Sequence, residues 1–274
     1  MTIPPVAAEV VTNIGSFLVT NTYINSTIVM VLFVIFAFVL NRSIKKQPGR
    51  LQNAFEAVMD FLFGFFDQVT GSREKSRRFF PIVATLFLFI LCSNWFGLLP
   101  GTGTIGITRN GEFIPILRSA GSDLNLTLAM ALISVIGSHL IGMLSLGFFV
   151  HWNKFIQLGG IWKAIKTFDP MKILIALIEF VVGIIELFSE AAKVVSLSLR
   201  LFGNVFAGEV LLTVISSLIS VAVPLPFMFL ELIVGIVQAT VFAMLTLVYL
   251  TIATTKPHGS SDEKHGHAAQ PAHA

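Results

Sequence analysis

Charge is what this sequence has least of, and its scarcity decides the class of protein. Only 12% of its 274 residues are charged, against 55% hydrophobic, and phenylalanine alone occurs 26 times. Mean hydropathy is +0.85. A soluble domain of this length cannot hide so much apolar surface, because its exterior needs polar cover. There is one cysteine, Cys92, so disulfides and cysteine-built metal sites within the chain are excluded. Placed in an apolar run, it reads as a small hydrophobe in the core or against lipid. No basic run precedes the first apolar segment in MTIPPVAAEVV, so neither a cleaved signal peptide nor an arginine-rich transit peptide is expected. Phosphate-binding glycine loops, metal-ligand clusters and nucleophile triads are missing too. The chain is therefore expected to perform no covalent chemistry by itself, to carry no cofactor or metal, and to bind no nucleic acid.

What is present is a series of apolar runs longer than the ~18 to 20 residues that cross a bilayer as a helix. They lack the strict alternation of a membrane barrel, which makes this an all-α membrane protein. An outer N-terminal segment, 1–25, leads into a first span at 26–41. In 42–78, a basic loop and a helix of another kind follow. The apolar positions 51, 55, 58, 62, 65 and 69 step by fours and threes, with Gln52, Asn53, Glu56, Asp60 and Asp67 between them. That period gives an amphipathic helix lying on the membrane surface. The second and third spans fall within 79–150, interrupted at LLPGTG and by a polar loop to 123. The tail 254–274 is polar and low in complexity, which predicts disorder; its four histidines read as part of a solvated end.

Lysine and arginine set the orientation. Fourteen of the 18 basic residues fall in loops 42–78 and 151–172 or in the tail, and only Arg109 and Arg118 fall in the opposite loop. The N-terminus is therefore expected outside and the C-terminus inside, which demands an odd number of crossings.

The stretch 171–222 is too long for one upright span: about fifty residues make a helix about 75 Å long, against a bilayer core of ~30 Å. Cutting it at 189–204 would make Arg200 an ordinary loop arginine, but would also give six crossings and put the tail outside. No proline occurs between 170 and 224, so one long tilted helix followed by a return helix, with PLP at 224–226 as the turn, keeps five. With Arg200 at zero and ~100° per residue, Ser196 falls near −40°, Lys193 near +20°, Asn204 and Glu186 near +40° and Glu179 near +60°. These residues form one polar stripe. Glu209 falls on the opposite side, near 180°. On the return helix, Glu231 and Gln238 share a face, with Tyr249 beside it. Ionisable groups inside membranes commonly line ion paths, whereas Ser196, Asn204 and Gln238 also suit interhelical hydrogen bonding. His139, in the middle of the third span, fits either a channel role or core packing.

The string SLSLRLFGNVFAGEVLL (196–212) resembles the most characteristic segment of subunit a of the F-type ATP synthase. The likeness continues in NWFGLLPG (94–101), RSAGSDLN (118–125) and IVQATVFAMLTLVYL (236–250), and covers most of 50–255. It implies a proton-channel stator subunit of about five transmembrane helices, whose tilted hairpin (171–253) packs on a rotor ring of small two-helix c subunits. Peripheral-stalk b subunits and the bilayer would be its other partners, in a bacterial plasma membrane sooner than a mitochondrial one. Carried over by position, Arg200 matches the essential arginine that faces the rotor carboxylate. Asn204, Glu209, Glu231 and Gln238 match an outer half-channel, and Glu186 and Ser196 an inner one. Glu231 departs from the histidine that bacterial relatives often carry. Glu179, His139 and Tyr249 are further candidates from the stripe and its surroundings. A proton-coupled secondary transporter is the alternative, although the paired repeats usual in that class are missing.

Overall fold

The computed structural model describes residues 5–45, 49–99, 102, 105–109, 112–155, 170–218 and 223–255. Among the described residues seven helices dominate: α1 (Asn21–Ser43), α2 (Arg50–Thr70), α3 (Arg73–Gly97), α4 (Leu124–Leu146), α5 (Phe148–Phe155), α6 (Pro170–Leu218) and α7 (Pro224–Thr254). Two small hairpins, β1 (Val10–Ile14) with β2 (Phe17–Thr20) and β3 (Gly106–Arg109) with β4 (Glu112–Pro115), sit at one end. In the first, Gly15 turns the chain at φ +64°, a left-handed conformation that glycine adopts without strain. Neither hairpin was expected. The region read as a polar loop, 100–123, instead holds β3, β4 and a short 3-10 turn at Ala120–Ser122.

Four helices, α1, α3, α4 and α7, are long and apolar enough to cross a membrane. Helix α6 is longer than any of them, 49 residues without a break, or about 74 Å at ~1.5 Å per residue. Several boundaries differ from the sequence reading. The first helix starts at Asn21, where the Thr20 hydroxyl accepts the Tyr23 amide, a side-chain N-cap. Helix α4 stops at Leu146, where Gly147 takes φ +91°, and α5 follows at once. Pro224 does not turn the chain: it lies at the start of α7, where its missing N–H has no intrahelical partner to lose. The loop expected at 156–169 and the tail beyond 255 lie outside the described residues.

Helix α7 packs against α3 and α4, and α6 packs against α4 and α7. The core between them is Val83, Phe87 and Ile90 of α3, Met130, Ala131 and Val135 of α4, Leu197 and Leu201 of α6, and Phe242, Leu247 and Leu250 of α7. Hydroxyl pairs stitch the apolar helices together: Thr127 to Ser198 at 3.3 Å and Ser134 to Thr246 at 2.8 Å. Without a hydrophobic drive between helices in lipid, such hydrogen bonds and close packing hold the bundle together. At the corner of α2 and α3, Phe63 stacks on Phe80 with centroids 4.0 Å apart. Arg73 lies over Phe63 and pairs with Asp67 at 2.7 Å. The Ser76 hydroxyl, followed by the Arg73 guanidinium, holds the Asp67 carboxyl below its ordinary value.

The outward faces of α6 and α7 remain apolar. Ile178, Val181, Val182, Ile185, Phe188, Val195 and Leu199 of α6 are exposed, as are Phe229, Ile233 and Val237 of α7. A surface of this kind needs lipid or another protein against it.

Candidate functional site

The polar residues of α6 fall into two groups, with Arg200 between them. Toward the hairpin end lies a cavity of ≈ 380 Å³ whose wall includes Asn94, Arg118, Asn204, Glu209, Glu231 and Gln238. Toward the other end lies a crevice among His139, His151, Glu190, Lys193 and Tyr249.

In the cavity, Asn204 and Gln238 join α6 to α7: Asn204 Nδ2 donates to Gln238 Oε1 at 2.8 Å. Gln238 is only 4% exposed. Its Nε2, both side-chain polar atoms of Asn94 and the Ser119 hydroxyl are buried with no hydrogen-bond partner. All three residues line the cavity. Buried polar atoms are expensive to leave unsatisfied, and a polar space of this size accommodates water that satisfies them. The half-buried Glu231 lies against the α6 backbone, where a side chain at Gly208 would collide with its carboxyl group. That glycine makes room for the acid.

Glu209, which the helical wheel turned away from the stripe, is explained by Arg118. The Arg118 Nε donates to Glu209 Oε1 at 2.9 Å and Oε2 at 3.1 Å. Its remaining nitrogens donate to the carbonyls of Ala7 and Pro5 at 3.3 and 2.8 Å. Arg118, in the stretch read as the outer polar loop, is 3% exposed. The chain around Arg118 is anchored from α1, where Asn25 Nδ2 donates to the Arg118 carbonyl at 2.8 Å and Thr22 donates to Asp123 at 2.9 Å. The motif RSAGSDLN carries this residue, but charge alone does not distinguish a buried arginine from a loop arginine.

Arg200 itself is exposed on α6. No hydrogen bond or ion pair joins it to any other described residue. Ser196 and Glu179 are exposed on the same helix, and Glu186 is half-buried. These three do not join the crevice below Arg200. Its centre is Glu190, which the sequence reading passed over. Lys193 Nζ donates to Glu190 Oε1 at 2.6 Å, and His139 Nε2 lies 3.3 Å from Glu190 Oε2. His139 Nδ1 is 3.1 Å from His151 Nε2, and Lys193 sits over the Tyr249 ring at 4.9 Å. His139, singled out from sequence, thus meets Glu190 of α6 and His151 of α5, which were not, while Tyr249 meets Lys193 of the stripe. Among the described residues no group of three acidic, histidine or cysteine side chains could hold a metal ion.

A family model described as "ATP synthase A chain" matches residues 23–251. "ATP synthase subunit a, sodium ion specific" of Propionigenium modestum is 32% identical over 90% of this chain and 78% of its own length. "ATP synthase subunit a" of Moorella thermoacetica is 31% identical, covering 87% of this chain and 92% of itself. The protein of the same description from Desulfotalea psychrophila is 35% identical over 83% of this chain and 81% of its own length.

Proposed function

The chain belongs to the ATP synthase A chain family, and from that premise we propose that it is a proton-conducting stator with two half-channels separated by Arg200. It is an integral membrane protein and a subunit of the multi-subunit ATP synthase, with an ion-translocating and not a catalytic part in it. One observation carries the finer reading. An arginine with no hydrogen-bond or ion-pair partner among the described residues stands on an apolar outer face, with a polar cavity along the helix on one side and a titratable cluster on the other. Along α6, Glu190 and Glu209 lie ten and nine residues from Arg200, about 15 and 14 Å at ~1.5 Å per residue.

The choice of arginine has a chemical reason. A guanidinium keeps its proton at any accessible pH, so it cannot relay one and blocks leakage between the two sides. It attracts an ionised carboxylate on a rotor subunit with an energy on the order of 4 kcal/mol at ~4 Å and an effective dielectric near 20. A protonated rotor acid arriving beside it is induced to release its proton inward, since a nearby cation lowers a carboxyl pKa by ~1 to 3. Beyond Arg200 the acid reloads from the cavity. There Glu231 takes and gives the proton, Asn204 and Gln238 hold water, and Glu209 stays fixed on Arg118. Rotation follows because a neutral acid enters lipid far more readily than a charged one.

The partners follow from the same surface. A ring of small two-helix c subunits covers the apolar face of α6 and α7, and b subunits of a peripheral stalk hold the chain against it. The membrane is the bacterial plasma membrane, with the cavity end outside and the basic loops inside. Glu231→Gln tests the outer path: proton flux through the assembled complex should fall while assembly is retained. Unchanged flux would remove Glu231 from the path.

A further inference from the structure

We propose that Glu190, His139 and His151 form a proton relay that carries protons between the Arg200 region and the inner surface. It rests on the half-channel reading above and assigns the inner half to residues that the stripe of Glu186 and Ser196 does not include.

The geometry is continuous across three helices. Glu190 Oε2 lies 3.3 Å from His139 Nε2, and His139 Nδ1 lies 3.1 Å from His151 Nε2. Both ring nitrogens of His139 are therefore engaged, one on each side, as an imidazole needs to be in order to pass a proton through. The chain ends on His151, in α5, at the end of the bundle that carries the basic loops. For outward-to-inward transfer, a proton reaching the Glu190 carboxylate moves on to His139 Nε2. The His139 Nδ1 proton moves to His151 Nε2, and the proton on His151 Nδ1, an atom buried beside Gly142, passes to inner water that must reach it there. One proton enters, one leaves, and each ring exchanges its tautomer. The reverse sequence serves pumping, and ring reorientation resets either direction.

The surroundings tune the relay. Lys193, on α6, binds the other oxygen of Glu190 at 2.6 Å and so holds the carboxylate in place facing His139. Tyr249 of α7 lies under the Lys193 ammonium. Glu186 and Arg200 are the flanking charged residues on α6. His151 occupies space that a glycine leaves: a Cβ at Gly142 would come within 2.8 Å of His151 Cε1 and of the Ala253 carbonyl oxygen.

The test uses inverted membrane vesicles carrying the whole ATP synthase with this chain, their inner face open to the buffer. Passive proton flux and ATP-driven pumping are read. His139→Gln and His151→Gln should lower flux by about tenfold or more, as loss of a proton-transfer group does. Gly142→Ala keeps both histidines but pushes on His151 and on the Ala253 carbonyl, so it should lower flux in the same way if it assembles. Arg200→Ala is the control for the underlying reading. If it eliminates pumping while both histidine variants keep the parental flux, the relay is wrong and the half-channel reading stands. If Arg200→Ala pumps normally, the half-channel reading falls and the relay with it.

Discussion

Arg118 and Glu209, 91 residues apart in sequence, form a two-oxygen ion pair at 2.9 and 3.1 Å beside the cavity. The arginine side chain is 2% exposed and the glutamate 23%. Removing one member of a buried pair leaves an uncompensated charge, which costs about 3 to 5 kcal/mol. Arg118→Met should therefore destabilise the chain by about 3 kcal/mol, the low end because Glu209 is partly exposed. The double variant Arg118→Met/Glu209→Leu should lose less than the single one. Thermal unfolding of the purified complex checks this, and additive losses would count against the coupling.

Gly208 should tolerate no side chain. The carboxyl of Glu231 fills the space a Cβ would take, so Gly208→Ala must displace the acid. Proton flux through the complex should fall by about tenfold or more, as it would on losing a transfer group. Gly137→Ala, on α4 with nothing within 4 Å of the added Cβ, should leave flux at the parental level.

The corner between α2 and α3 should loosen in acid. Asp67 is held below its ordinary pKa by Ser76 and Arg73. Its contribution is thus present above the ordinary aspartate value, ~3.9, and is lost as pH falls through the lowered folded value. The pair is solvent-exposed, so the effect is small. Limited proteolysis near Gly71 should increase as pH drops below about 4 in the parental chain. Asp67→Asn should be cleaved equally at both pH values.

Much of the scaffold was legible because it depends on local properties. The amphipathic step of 51, 55, 58, 62, 65 and 69 marked α2, and the proline-free run after 170 marked α6 as one helix. Arg200 stood out because a permanent charge in an apolar run needs a reason. What could not be read depends on tertiary contact. Glu209 looked turned away from the stripe because a helical wheel has no knowledge of Arg118. Glu190 falls about 80° from Arg200 on the same wheel, at the edge of the stripe, and gains its meaning only from histidines on α4 and α5. The hairpins were hidden for another reason: strands of four or five residues give too short a pattern to separate from loop.

Arg200 carries the central claim, and its test is direct. Vesicles bearing the complex with Arg200→Ala are given an imposed proton gradient, and ATP synthesis is measured beside vesicles with the parental chain. With the complex assembled in both, synthesis should fall to background in the variant, because nothing then separates the two half-channels or draws the rotor carboxylate. Synthesis at the parental rate would contradict the account.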